Sequence, residues 1–124
     1  YSEYSGQLDG DFTNEQFLRG RQRTNVNGQV SFLSLYPGWY PGRAPHLHLE
    51  IKDSAGKSLL ITQVAFPENI SNTVYASSGY NGNFDTPNAN DDSFSASLEQ
   101  NLPDNLTGNI NDGYVYTKAI NVIG

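Results

Sequence analysis

Two histidines and a tyrosine lie close together in the sequence, and their side chains are of types that bind metal ions. His46 and His48 are the two histidines of the chain, and Tyr40 precedes the first of them by six residues. Neutral imidazoles are common metal ligands, and two of them on one face of a strand can aim a nitrogen at a common point. A turned loop would bring the phenol of Tyr40 to the same point. These residues predict a site of imidazole nitrogens and phenolate oxygen.

The same residues have a simpler interpretation. Taken alone, His46 and His48 are polar residues on the solvated face of a strand, and Tyr40 is a residue that packs a loop. Arg43, three residues before His46, is then a solvated turn residue. The surrounding sequence has to decide between the two interpretations.

The segment before the histidines predicts a rigid loop that leads into a strand. It contains two Pro-Gly pairs, Pro37-Gly38 and Pro41-Gly42. Proline presets φ at the second position of a β-turn and glycine accepts the positive φ that follows, so we expect consecutive turns. Residues 46–51 then alternate polar and apolar side chains, which is the period of a strand with one covered face.

The rest of the chain predicts short strands separated by turns. Asn27-Gly28 is a strong hairpin signal, because both central residues of a type I′ turn need positive φ. The predicted elements, in chain order, are strands at 17–26 and 29–36, the histidine strand, a turn at 53–56, a strand at 58–66 suited to the middle of a sandwich, a short helix at 68–76, a long polar loop at 77–97, an ambiguous segment at 98–108 and a final strand at 114–123.

Composition narrows the class of protein. The 124 residues predict a single domain, and the absence of cysteine excludes Cys-based zinc sites, iron-sulfur clusters and thiol catalysis. The net charge of −6 argues against a nucleic-acid partner. No apolar run reaches the roughly 18 residues of a membrane span, so no membrane partner is expected. Several short strands with almost no helix predict an all-β sandwich or barrel.

One segment carries a family resemblance. Residues 36–48 read Tyr-Pro-Gly-Trp-Tyr-Pro-Gly-Arg-Ala-Pro-His-Leu-His. With segments 17–22, 27–32, 60–67, 74–76, 85–89 and 112–115, this run resembles the intradiol ring-cleavage dioxygenases, in particular their short, often secreted branch. Cupins, which also carry a His-x-His strand, need a third histidine and a carboxylate further along. The resemblance to the dioxygenases covers nearly the whole chain.

The resemblance implies a fold and a metal. The fold is a prealbumin-like β-sandwich with one short helix and long active-site loops. The metal is a non-haem Fe(III) bound by two tyrosines and two histidines. By position, Tyr40, His46 and His48 resemble three of these ligands. Tyr1 resembles the second tyrosine, with Tyr4 as its competitor.

The resemblance also implies an activity of the catechol 1,2-dioxygenase or protocatechuate 3,4-dioxygenase type. Such an enzyme cleaves a catechol-type ring between its two hydroxylated carbons with O₂ and yields a muconate-type diacid. Tyr40, once displaced from iron, would accept the second catechol proton. Arg43 resembles the arginine beside the substrate ring, and Gln63 resembles a glutamine that hydrogen-bonds at the site.

A second function from a different class stays open at this point. The chain is then a non-catalytic β-sandwich binding module whose histidine pair holds no functional iron. The resemblance further implies a strand upstream of Tyr1 and a secreted or periplasmic protein, with a homodimer as one option for its assembly. The small-molecule catechol and O₂ are the partners expected of the enzyme.

Overall fold

The computed structural model describes residues 19–80 and 82–123. The chain divides into two compact units, Tyr1–Tyr36 and Pro37–Gly124. The expectation of a single domain over residues 1–124 stays a prediction. Tyr1 and Tyr4 lie outside the described residues, as do the first two residues of the predicted strand at 17–26.

The second unit contains all the regular elements found among the described residues. The strands are β1 (His46–Lys52), β2 (Ser58–Ala65), β3 (Asn105–Asn109) and β4 (Gly113–Thr117). The α-helices are α1 (Glu68–Tyr75) and α2 (Leu98–Asn101), and 3₁₀ turns cover Asn88–Asn90 and Ser95–Ser97. The strands form two antiparallel sheets of two strands each, β1 with β2 and β3 with β4. The expectation of a β-rich fold with few helices is therefore confirmed at that level.

The β1 and β2 pair carries the predicted site. His46 lies opposite Ala65 and His48 lies opposite Gln63. The turn that joins the strands is the predicted one, because the Asp53 carboxylate accepts the backbone N–H groups of Ala55 and Lys57, both at 2.9 Å. The predicted alternation along β1 is confirmed as well. Its leucines and Ile51 are half-buried, whereas its charged residues are exposed.

A small core lies at the carboxyl end of β2. Ala44, Ala65 and Phe94 are buried against one another, and Leu98 and Leu102 pack on them. Ala44 immediately precedes the histidine strand and Phe94 belongs to the polar segment after α1. The core therefore joins the start of β1 to a segment that is distant in sequence.

The helix predicted at 68–76 is confirmed as α1. Pro67 precedes its first residue, and the carbonyl of Pro67 accepts the N–H of Ile70 and of Ser71, both at 3.1 Å. Ser71, Val74 and Tyr75 form the buried face. None of the helices in the described ranges has the length and hydropathy needed to cross a membrane.

Three expectations about these elements were wrong. The described residues contain a second helix, α2, where only one helix was expected. The strand at 58–66 is not a central strand there, since β2 pairs with β1 alone and Ile61 is 70% exposed. The final strand ends at Thr117 instead of residue 123. The Asp104 carboxylate accepts the N–H of Ala119 at 2.6 Å, which takes that backbone group away from any ladder.

The first unit turns near the predicted place, but the turn is not the predicted one and the predicted strands are not formed. Gly28 donates its N–H to the carbonyl of Asn25 at 2.9 Å, so Val26 and Asn27 are the central residues, and Gly28 follows them with a φ of +74°. Residues 19–36 contain no strand, and Val26 and Leu33 are fully exposed. A two-stranded hairpin without a buried face is marginal in water. Because these apolar side chains are exposed, no buried face stabilises a hairpin in this segment, and the predicted strands do not form.

We expect Asn101→Ala to destabilise the protein by about 1–3 kcal/mol, because two partly buried hydrogen bonds are lost. Asn101 Nδ2 donates to the carbonyl of Gln63 at 2.7 Å, and its Oδ1 accepts from Ser97 Oγ at 2.7 Å. Urea unfolding measures the difference. Gln100→Ala removes an exposed side chain of the same helix and should change stability by less than about 0.5 kcal/mol. Equal effects of the two substitutions would contradict this account.

Candidate metal centre

The loop before the histidines contains one of the two predicted turns. The N–H of Arg43 donates to the carbonyl of Tyr40 at 3.2 Å, and Gly42 has a φ of +86°, as in a type II turn. The Pro37-Gly38 pair forms no turn, so that expectation was wrong. The carbonyl of Pro37 instead accepts the hydroxyl of Tyr75 at 2.8 Å.

The same loop is fastened at two points to the segment after α1. The indole N–H of Trp39 donates to the carbonyl of Gly82 at 3.0 Å, and the N–H of Gly42 donates to Asp85 Oδ1 at 3.2 Å. These bonds lie on either side of Tyr40 in the sequence. Trp39 therefore helps to hold the loop in place.

His46 and His48 turn the same ring nitrogen toward each other. The two Nε2 atoms are 3.2 Å apart, and the ring centroids are 5.0 Å apart. His46 Nδ1 lies 2.6 Å from the carbonyl oxygen of Ala44. A carbonyl can only accept, so Nδ1 carries the hydrogen and the lone pair of His46 is on Nε2. With that lone pair as acceptor, a hydrogen bond across the 3.2 Å contact would place the hydrogen of His48 on its Nε2, and a metal ion bound there would replace this hydrogen.

Arg43 uses three different nitrogens for three partners. Nε donates to Asp91 Oδ2 at 2.8 Å, Nη1 donates to Tyr40 Oη at 3.2 Å, and Nη2 donates to Gln63 Oε1 at 2.5 Å. The guanidinium carbon also lies 5.9 Å from the centre of the buried Phe94 ring. Such a planar fork of donors is peculiar to arginine, and here it connects three residues that are far apart in sequence.

Asp91 is the residue that the sequence analysis missed. Its side chain has no exposed surface. Oδ2 accepts from Arg43 and from the N–H of Ala44, both at 2.8 Å, and Oδ1 accepts from the N–H of Ser93 at 2.9 Å. A half-buried arginine needs a negatively charged partner, and this need was the signal in the sequence that pointed to an aspartate or glutamate. The segment 85–92 contains three aspartates, however, and spacing alone does not select Asp91 among them.

The electrostatic surroundings keep both histidines neutral. Burial lowers the pKa of His46 below 6.5, and the positive charge of Arg43 lowers it further, against the hydrogen bond to Ala44 and the negative charge of Asp91, which raise it. Burial and the charge of Arg43 likewise lower the pKa of His48. Neutral imidazole is the form that binds a metal ion. The site therefore favours the metal-binding form of its histidines at neutral pH.

The ion pair is charged over the same range. Burial alone would raise the pKa of Asp91, but the hydrogen bonds from Arg43, Ala44 and Ser93 outweigh it and hold the pKa below its usual value. Burial would lower the pKa of Arg43, but its bond to Asp91 and the charge of that carboxylate raise it. Asp91 and Arg43 thus stay ionised together.

The structure brings five of the predicted site residues together. They are Tyr40, Arg43, His46, His48 and Gln63. Within the described ranges, no group of three His, Cys, Asp or Glu side chains could hold a metal ion. A metal held by the histidine pair would thus draw on other donors, and Tyr40, whose ring centroid is 5.8 Å from that of His46, is the predicted tyrosine ligand among the described residues.

The donors that are present fit a hard metal ion. A ligand histidine commonly donates its other ring N–H to a backbone carbonyl, which is the arrangement of His46 and Ala44. Imidazole nitrogen and phenolate oxygen suit iron, whereas the chain has no thiolate for a softer site.

The chain was also compared with known proteins. It matches no protein-family model, no curated protein and no solved structure.

We expect the metal-free protein to lose stability as the pH falls from about 7 to about 5. The pKa values of His46 and His48 are lowered in the folded state, so below their ordinary value of 6.5 the unfolded chain binds more protons than the folded one. Urea unfolding at a series of pH values measures this slope. Asp91 does not contribute here, because its lowered pKa places its loss of stability below its ordinary value of 3.8.

The matched control for the pH series is His46→Gln/His48→Gln. This variant lacks both titrating groups and should show a flatter dependence between pH 7 and pH 5. An unchanged slope in the variant would mean that other groups govern acid stability in this range.

Proposed function

We propose that the chain is a non-haem Fe(III) intradiol dioxygenase that cleaves catechol-type rings between the two hydroxylated carbons with O₂. The observation that carries the proposal is the meeting of His46 Nε2 and His48 Nε2 at 3.2 Å beside Arg43 and Tyr40. We further propose that the small antiparallel sheets belong to a prealbumin-like β-sandwich. The products would be muconate-type diacids.

Four residues would hold the iron. They are His46, His48, Tyr40 and, outside the described residues, Tyr1. Two phenolates would neutralise charge that neutral imidazoles cannot, which favours a ferric ion. When bound, Fe(III) would supply the Lewis acidity and the redox activity that the reaction of a catechol with O₂ requires.

Tyr40 would act as the proton acceptor for the substrate. Its Oη accepts a hydrogen bond from Arg43 Nη1 at 3.2 Å, which orients the oxygen without using its own hydrogen. A phenolate at this position can take the proton of the second catechol hydroxyl, because proton transfer needs a basic oxygen within hydrogen-bond reach. Tyr40 would therefore bind the metal in the resting state and hold the proton during turnover.

Arg43 and Gln63 would stabilise negative charge on the bound ring. Arg43 is a fixed cation, held by Asp91 on one side and by Gln63 on the other. Preorganised positive charge of this kind stabilises a transition state that becomes more negative. Gln63 would set the plane of the guanidinium, since its Oε1 accepts from Nη2 at 2.5 Å. The side chain of Arg43 keeps 19% of its surface exposed, so it can still face a substrate.

The first test is the iron content and the visible spectrum of the purified protein, with and without added catechol. We expect about one iron per chain after reconstitution, a tyrosinate-to-iron charge-transfer band, and a shift of that band when catechol binds. Product analysis by mass spectrometry should then show a ring-opened diacid that contains both atoms of O₂. A protein that stays colourless after incubation with iron would favour the alternative, a β-sandwich binding module without functional iron.

Tyr40→Phe tests the assignment of the base. The variant should retain some iron through the remaining ligands but lose most of its turnover, by about 100-fold or more, because it lacks the proton acceptor. Steady-state kinetics and iron content measured on one preparation separate the two effects. Tyr114→Phe removes a hydroxyl from β4 and serves as the control for the substitution itself. Unchanged turnover in Tyr40→Phe would remove Tyr40 from its role as base.

A further inference from the structure

We propose that Asp91 is a positioning residue for the metal centre, and that its Oδ2 atom sets both the guanidinium of Arg43 and the tautomer of His46. The carboxylate is fully buried, and it contacts Arg43, which lies 48 residues earlier in the sequence. The inference rests on the proposed function in one respect, the use of the histidines as metal ligands. The positioning itself is a property of the metal-free protein.

The two oxygens of Asp91 serve different parts of the molecule. Oδ1 accepts the N–H of Ser93, two residues ahead, which closes a local turn within the loop. Oδ2 accepts from Arg43 Nε and from the N–H of Ala44, both at 2.8 Å. A carboxylate that only shaped its own loop would need the first of these bonds alone. The second oxygen is directed entirely at the segment that precedes the histidine strand.

The bond to Ala44 connects Asp91 to His46. The N–H of Ala44 is fixed by Asp91, and Pro45 restricts the backbone of the residue before it to extended conformations. The direction of the Ala44 carbonyl is thereby set from both ends. That carbonyl accepts from His46 Nδ1 at 2.6 Å and so keeps the lone pair of His46 on Nε2, opposite His48.

The bond to Arg43 connects Asp91 to the other half of the site. With Nε engaged by Asp91, the two terminal nitrogens of the guanidinium are directed at Tyr40 Oη and Gln63 Oε1. One carboxylate oxygen thus orients His46, a candidate metal ligand, through the backbone of Ala44, and it orients the guanidinium of Arg43 directly. Loss of that oxygen should disturb both at once, whereas loss of Oδ1 should disturb the loop.

Asp91→Asn separates these roles because it keeps the shape of the side chain. The asparagine can retain its oxygen toward Ser93, but its Nδ2 then faces two donors, Arg43 Nε and the N–H of Ala44, and can accept from neither. Asp92→Asn is the matched control, since it makes the same change at the neighbouring exposed position. Circular dichroism and amide spectra establish that both variants are folded.

The main measurement is the ¹⁵N imidazole spectrum of the metal-free, full-length protein at a fixed pH of about 7.5, where both histidines are neutral. In the unmodified protein and in Asp92→Asn, His46 should be the Nδ1–H tautomer. In Asp91→Asn, His46 should become a mixture of tautomers. Zn²⁺ affinity, measured by calorimetry, should fall about 10- to 100-fold in Asp91→Asn and stay unchanged in Asp92→Asn, as for other residues that orient a metal ligand.

Several results would overturn the inference. They are an Nε2–H tautomer of His46 in the unmodified protein, and a folded Asp91→Asn variant that keeps both the tautomer and the Zn²⁺ affinity. If Asp91→Asn does not fold, Arg43→Gln is compared with Arg43→Gln/Asp91→Asn, and an identical tautomer in these two would also refute it. None of these measurements uses iron or catechol. Failure of the dioxygenase assay can therefore be told apart from failure of this inference.

Discussion

The buried carboxylate of Asp91 is the constraint on which the rest of the site depends. A charge with no exposed surface is costly unless it is paired and hydrogen-bonded, and Asp91 meets both conditions with Arg43 and two backbone N–H groups. Arg43 and Ala44 belong to the segment that precedes the histidine strand, and Ser93 belongs to the segment of Asp91 itself. The need to satisfy one buried group therefore places these two segments together.

This pairing also determines the charge of the surroundings. Asp91 and Arg43 form an ion pair, and burial together with the positive charge of Arg43 lowers the pKa of both His46 and His48. The described part of the site thus has imidazole lone pairs and no uncompensated anion. A trivalent cation in such surroundings needs negative ligands of its own. Phenolates can supply them, which is why the proposed iron depends on Tyr40 and on a second tyrosine as much as on the histidines.

What the sequence predicted well is local. The Asp53 turn, the Pro41-Gly42 turn and helix α1 after Pro67 depend on residues next to one another in the chain, and all three are present. Pro37-Gly38 has the same two residues as Pro41-Gly42, yet Tyr75 binds its carbonyl and no turn forms. The partner of Arg43 likewise lies 48 residues away. Contacts of this range depend on the folded chain, so spacing does not reveal them.

The contacts of Tyr40 and Arg43 differ in a way that suits the proposed reaction. Arg43 has three hydrogen-bond partners, with distances of 2.8 Å to Asp91 and 2.5 Å to Gln63, so moving it would break these bonds and leave Asp91 buried without its counter-charge. Among the described residues, the Tyr40 hydroxyl has only the longer bond to Arg43, at 3.2 Å, and its ring meets His46 edge-on. The proposed reaction needs a base that can leave a metal ion and return to it, and the weakly held Tyr40 suits this role. It also needs a fixed cation that stabilises charge on the substrate, and the firmly held Arg43 suits that one.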